Sequence, residues 1–140
     1  MPEIPPIDEA ELEAFRLTLP EIDRIEKRND GIPWDIVKAR YLAYRANLQP
    51  VEVDPDTCWK KIKWISDIKP EYALSEQVDL NKPIIIVKRK NDAGVVEDRI
   101  IDGSHRVFKA HHNHIATIPA YILSEEEGEL CILPNYPLGL

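Results

Sequence analysis

A continuous apolar run, Ile84-Ile85-Ile86-Val87, restricts the possible fold more than any other segment of this sequence. A strand with one solvated face alternates apolar and polar residues, whereas a strand covered on both faces is apolar throughout. Residues 91–94 (Asn-Asp-Ala-Gly) form a turn signal, and residues 95–101 are suited to a returning strand. The sequence therefore predicts a hairpin inside a sheet that other elements cover on both faces.

Further elements are predicted on either side of this hairpin. Residues 49–53 are suited to a short extended segment, and the next helix has Asp54 as its cap and Pro55 at its first position. A helix at residues 107–115 and a strand at residues 117–123 follow the hairpin. The predicted class is α/β (α+β in stricter usage): a small mixed β-sheet of about four strands with surrounding helices.

Residues 1–48 are predicted to form an N-terminal helical extension. Asp8 is placed to cap a first helix, and a second helical segment is expected between Pro20 and Gly31. The third helix, within residues 32–48, has apolar residues at spacings of three and four: Trp34, Val37, Tyr41, Tyr44 and Leu48. This aromatic face can pack in the core, cover a site as a lid, grip a nucleobase, or contact a second copy or another protein.

The predicted boundaries are therefore an extension at 1–48, a core at 49–124 and an acidic, proline-rich tail at 125–140. No apolar run approaches the about 20 residues that a membrane span needs, and the acidic start does not resemble a secretory signal. The two cysteines, Cys58 and Cys131, lie far apart without metal-binding spacing. These features predict a cytoplasmic protein in a reducing compartment, without membrane contact.

The net charge of −7 disfavours a protein dedicated to DNA, because such proteins gather Lys and Arg against phosphates. Two short basic segments interrupt the acidic background, at residues 59–64 and 87–90. Segments of this kind are usually solvated surface, but they mark where any contact with DNA is expected.

Residues 102–106 (Asp-Gly-Ser-His-Arg) concentrate polar chemistry between a predicted strand and a predicted helix. Gly103 permits a sharp turn, and Ser104 is suited to the first turn of the helix. The first amides of a helix and its dipole favour an anion, and Arg106 and His105 can add donors. A capped turn with an exposed arginine is the alternative interpretation, although such a turn needs neither His nor Arg after the Gly-Ser pair.

The run from Lys82 to Leu123 resembles the ParB/sulfiredoxin superfamily. The matching pieces are a strand of the pattern Pro-Ile-x-Val at Pro83, the Gly-x-His-Arg turn that begins at Gly103, and a closing strand with Ile118-Pro119-Ala120. The resemblance implies a turn that cradles nucleotide phosphates. It assigns binding of a nucleotide (ATP, ADP or CTP, with or without Mg²⁺) to Gly103, Ser104, His105 and Arg106.

Departures from the family pattern narrow the implied activity. Sulfiredoxins have a catalytic cysteine where this chain has Ser104, and a serine hydroxyl cannot perform thiolate chemistry, so sulfinic acid reduction is not expected. ParB partition proteins have a helix-turn-helix domain after this fold. The residues that follow the closing strand in this sequence are too few for such a domain, so a plasmid-type centromere binder is not expected. Two other groups in the superfamily are nearer to this chain in motif or size. They are a free-serine kinase with an Asp-Gly-His-His-Arg turn and small proteins described as ParB-like nucleases.

Hydrolysis or transfer of a phosphoryl group also requires a base and a metal ligand. The candidate catalytic residues are Asp102, His105, Glu52 and Asp54, and Asp102 is the candidate metal ligand. Asp54 is equally suited to be only a helix cap. The function hypotheses are a nucleotide-binding phosphohydrolase or phosphotransferase, a ParB-like nuclease or DNA-associated protein, and a non-catalytic regulatory module that binds a partner.

Overall fold

The computed structural model describes residues 4–20, 27–29, 32–64 and 67–133, with only the backbone described at 27–29. In chain order the elements are α1 (Glu9–Thr18), β1 (Lys27–Asn29), β2 (Ile32–Trp34), α2 (Ile36–Arg45), β3 (Val51–Val53), α3 (Pro55–Ile62), α4 (Pro70–Ala73), β4 (Ile84–Lys90), β5 (Val96–Asp102), α5 (Ser104–His112), β6 (Ile118–Leu123) and α6 (Glu125–Leu130). None of the helices in these ranges is long and apolar enough to span a bilayer.

The central sheet has four strands in the order β3-β6-β4-β5. β4 and β5 form the predicted antiparallel hairpin, β3 pairs antiparallel with β6, and β4 runs parallel to β6. The strands β1 and β2 form a separate antiparallel hairpin. The predicted small mixed sheet within an α+β fold is therefore confirmed.

Both faces of β4 are covered, which explains its continuous apolar run. Ile85 and Val87 pack on one face in a cluster with residues of α1 and α2. Ile84 and Ile86 pack on the other face against residues of α3 and α5. Successive side chains of a strand point to opposite faces, so a run of four apolar residues is the signature of a strand between two layers of helix.

Most of the predicted aromatic face at residues 34–48 is packed in the core, and a role of its exposed part as a lid or a partner contact stays a prediction. Trp34, Val37 and Tyr41 are fully buried in the same cluster as Ile85. Of the predicted apolar face, only Tyr44 remains largely exposed, at 69%. The packing therefore gives no boundary at residue 48: residues on both sides of it form one hydrophobic cluster.

The prediction of a helix between Pro20 and Gly31 is wrong at residues 27–29, which form the strand β1. The other residues of that prediction, 21–26, 30 and 31, lie outside the described part of the chain. Likewise residues 32–34 form a strand, and α2 begins only after its cap, Asp35. Pro33 gives the physical reason, because a proline disfavours helical conformation in the residue before it. The pairing of β1 with β2 then extends the segment.

The predicted tail is partly structured. The side chain of Ser124 caps α6 in a reciprocal arrangement with Glu127. Cys131 is buried, and Ile132 forms a β-bridge with Trp34. Residues 125–133 therefore complete the layer that includes α2, and residues 134–140 lie outside the described ranges.

Candidate functional site

The turn between β5 and α5 depends on a glycine. Gly103 has φ 108° and ψ 20°, in the left-handed region that residues with a Cβ rarely adopt. A Cβ at this position would lie 2.4 Å from Cγ2 of Ile84 and 2.7 Å from its Cβ. The glycine thus permits both the sharp turn and the close packing of the start of α5 on β4.

Asp102, the last residue of β5, is the centre of a buried ion-pair cluster. The residue is only 4% exposed, and its carboxylate lies between two guanidinium groups. Nη2 of Arg106 donates to Oδ2 at 3.0 Å, and Nη2 of Arg40, from α2, donates to the same oxygen. Two cations and one anion give these three side chains a net charge of +1.

Arg106 points into the protein. Besides its bond to Asp102, its Nη1 donates to the backbone carbonyls of Lys82 at 2.9 Å and Pro83 at 2.5 Å. These bonds join α5 to the residues that lead into β4. Forked donation from Arg106 to a phosphate stays a prediction, and it would require some of these internal bonds to be exchanged.

His105 joins α5 to the segment around α4. Its Nε2 accepts from the backbone amide of Lys69 at 3.3 Å, and its ring lies edge-on to Tyr72, with centroids 5.1 Å apart. A neutral imidazole that accepts at Nε2 has its proton on Nδ1. Ser104 is half-buried beside it, as the first residue of α5. Gly103 forms the turn, and Ser104, His105 and Arg106 form the first turn of α5; their binding of a nucleotide stays a prediction.

The two other candidate acids lie elsewhere. Glu52 is exposed on β3, opposite Pro119. Because β3 and β5 are three strand spacings apart in the sheet, about 14 Å separates Glu52 from Asp102 across it. The structure therefore does not bring Glu52 to the turn.

Asp54 is the cap of α3. Its carboxylate accepts from the amide of Asp56 at 3.0 Å and from the hydroxyl of Thr57 at 2.9 Å. The bond from Thr57, followed by the amide of Asp56, lowers the pKa of Asp54 below its ordinary value of 3.8. A carboxylate whose pKa is lowered is a weak base, so the geometry favours the structural role.

Asp102 has little to offer a metal ion in this arrangement. Its Oδ2 already accepts from two guanidinium groups, which would repel a cation. Across the described residues, no three His, Cys, Asp or Glu side chains converge as a ligand set. Among the other histidines, His111 pairs with Asp56 at 2.7 Å and stacks on Trp59. The role of Asp102 that the geometry supports is to hold the two arginines.

Sequence reasoning missed Arg40. Its side chain is only 10% exposed, and it reaches Asp102 from α2, 62 positions earlier in the chain. Arg40 also lines a pocket of about 270 Å³ between α1, α2 and β6, with Phe15, Leu19, Ala43, Tyr44, Asn47, Leu48 and Tyr121. No local pattern indicated this contact, because Arg40 lies off the apolar face of α2.

Comparisons with models of protein families, with curated proteins and with solved structures find no match for this chain.

Proposed function

We propose that the protein binds a nucleotide whose phosphates lie at the first turn of α5. The observation that carries this proposal is the way α5 begins, at a left-handed glycine without a side-chain cap. A side-chain oxygen caps each of α1, α2, α3 and α6, and among the described helices only the four-residue α4 also begins without a side-chain cap. A helix start without a carboxylate or hydroxyl cap leaves an anion room to approach the backbone and the positive end of the dipole.

Charge supports the same site. The Arg40–Asp102–Arg106 cluster lies directly beside the turn and carries one net positive charge. A phosphate at this position would therefore lie near one net positive charge within a protein of net charge −7.

The pocket lined by Arg40 is a candidate site for the base. Arg40 belongs both to the ion-pair cluster and to this pocket, so the two are adjacent. Tyr44 stacks on Phe15 at the rim with ring centroids 5.3 Å apart, and Tyr121 contributes a third aromatic ring. Aromatic faces of this kind stack readily on a planar base. The resemblance to the ParB/sulfiredoxin superfamily supports only the phosphate part of this proposal, at Gly103 to Arg106.

Binding is the part of the proposal that the geometry supports best. For hydrolysis or phosphoryl transfer, His105 is the remaining candidate base beside the turn, since Asp54 caps α3 and Asp102 pairs with two arginines. Its Nε2 would have to release the amide of Lys69 before it could accept a proton. Measurement of released phosphate in the presence of Mg²⁺ separates turnover from binding alone.

Thermal unfolding with ATP, ADP, CTP and GTP, each with and without Mg²⁺, tests the proposal. A nucleotide at 100 times its dissociation constant should stabilise the fold by about 2.7 kcal/mol. Ser104→Glu should abolish this stabilisation, because it places a negative charge where the phosphates would lie. The variant itself should stay folded, because Glu is favourable in the first turn of a helix.

Ala10→Glu is the matched control, because it adds the same charge to the first turn of α1 at an exposed position. This variant should retain the full response to the nucleotide. The proposal fails if no nucleotide stabilises the wild-type protein, or if Ser104→Glu responds as strongly as Ala10→Glu.

A further inference from the structure

Two basic segments that are distant in sequence meet at Asp98. Nζ of Lys61, on α3, lies 3.4 Å from the backbone carbonyl of Asp98. Nζ of Lys88, on β4, contacts Oδ1 of the same residue at 2.5 Å. The lysines of the segments at residues 59–64 and 87–90 are solvated, as expected, and the two segments are also neighbours on one surface.

The alternation of β4 decides which of its cations join this surface. Lys88 lies on the face of the sheet that α3 covers, and Lys90, two residues further, lies on the same side. Arg89 points to the opposite face, where it pairs with Glu129 at 2.5 Å and lies over the ring of Trp34.

The end of α3 adds further cations. Lys60 and Lys63 are exposed there. We call Lys60, Lys61, Lys63, Trp64, Lys88 and Lys90 the basic surface. Lys88 and Lys90 also line a pocket with three carboxylates, those of Glu125, Glu126 and Glu129, and Asp54 lies near Lys60. The positive charge of the basic surface is therefore concentrated at the end of α3, where Lys60, Lys61 and Lys63 lie within four positions, and this end attracts a polyanion.

Trp64 makes the basic surface unusual. Its side chain is 85% exposed, whereas Trp34 is fully buried and Trp59 packs against Phe108 and His111. Nζ of Lys63 lies 5.2 Å from the centroid of its ring. An exposed indole next to the ammonium group of Lys63 offers a stacking surface to a partner that has both planar rings and negative charge.

We propose that the basic surface binds single-stranded nucleic acid without sequence preference. The lysines would contact phosphates, and Trp64 would stack on an unpaired base, which is the combination that single-strand binding surfaces use. A duplex keeps its bases stacked on each other and cannot offer one to Trp64. An acidic protein segment would match the charge but brings no regular supply of planar rings. This site is separate from the turn at Gly103 and does not depend on nucleotide binding there.

Fluorescence anisotropy with labelled 12-nucleotide oligo(dT) and oligo(U) tests the proposal. Contacts from four lysines predict a slope of about −3 in a plot of log K against log salt. The lysines would contact phosphates and the indole would stack on any base, and both oligomers offer these groups. Their dissociation constants should therefore agree within about threefold. Stacking should also quench the fluorescence of Trp64.

Matched variants separate the basic surface from overall charge. Lys60→Glu should weaken binding by about fivefold or more, whereas Arg16→Glu, the same charge change on α1, should change affinity by less than about twofold. Trp64→Leu should weaken binding by about tenfold and remove the quenching. Leu17→Ala, the loss of a side chain that is 65% exposed on α1 and outside both proposed sites, should do neither.

Several results would overturn the proposal. These are the absence of binding at low salt, tighter binding of a duplex than of oligo(dT), equal losses in Lys60→Glu and Arg16→Glu, and unchanged affinity in Trp64→Leu. Tighter association with poly-glutamate or with vesicles of anionic lipid than with either oligomer would assign the basic surface to a different class of partner.

Discussion

At the scale of single residues, the same side chains can serve a ligand or the fold, and the contacts separate the two roles. Asp102 and Arg106 were candidates for direct chemistry, yet both are buried and bonded to each other. Gly103 and Ser104 form the start of α5, where the proposed anion would bind. The architecture of the turn therefore rests on Asp102, Arg106 and Arg40, which position its backbone.

Gly103→Ala tests this view of the turn. The new Cβ would meet Ile84 at 2.4 Å, and φ of 108° is strained for alanine. We expect a loss of about 2–4 kcal/mol in the free energy of unfolding, measured with urea. Gly94→Ala is the control, because Gly94 also has positive φ but no atom lies within 4 Å of its Cβ position. Its loss should be about 1 kcal/mol; equal losses would refute the packing argument.

At the scale of elements, α2 and α6 belong to the layers that cover the sheet. Trp34 and Tyr41 share a cluster with Ile85, Leu123 and Cys131, which come from β4, β6 and the end of α6. A helix whose apolar face is completely buried against a sheet contributes to the folding of that sheet. The boundary expected at residue 48 therefore divides a single packed unit.

A deletion of residues 1–48 should prevent folding of the rest of the chain. It would expose one complete face of β4 and β6 to water, because α1 and α2 cover that face. Circular dichroism and the dispersion of amide proton shifts measure the outcome. Deletion of residues 1–7 is the control and should leave the fold intact, since Asp8 still caps α1. A folded fragment from residue 49 onward would show instead that the extension is dispensable.

At the scale of the whole molecule, the two thiols report on the packing of the two faces of the sheet. Cys58 lies in the cluster beneath α3 and α5, and Cys131 lies in the cluster that includes α2. Burial raises the pKa of both thiols, and it raises the pKa of Cys131 to about 12. Neither thiol has the exposed, electropositive surroundings of a reactive cysteine.

Cys131 should react with a thiol reagent only as fast as the molecule unfolds. Cys58→Ser isolates its signal, and we expect its labelling rate at neutral pH to follow global unfolding measured by hydrogen exchange. The stabilising contribution of the protonated thiol is present below pH 9 and decreases as pH rises from 9 toward 12, because only the unfolded thiol ionises in that window. Fast labelling under native conditions would contradict the packing around Cys131.

Local patterns were sufficient for much of the architecture. The apolar run at Ile84–Val87 predicted a strand covered on both faces, and Asp8 and Asp54 predicted helix starts, because a cap acts within three residues of chain. The position of the turn at Gly103 followed from the same kind of signal. Such features depend on neighbours in sequence, so the sequence by itself determined them.

The tertiary structure decided which partners the charged and aromatic residues have. Arg40 pairs with Asp102 from another element, α2 buries its aromatic face against the sheet, and the two basic segments meet at Asp98. Each of these contacts joins residues far apart in the chain. A local sequence pattern does not distinguish between the possible partners of such residues, and packing in a shared core selects one of them. For the same reason Arg106 was predicted as a donor to a phosphate, whereas the fold directs its guanidinium inward, to Asp102 and the carbonyl of Pro83.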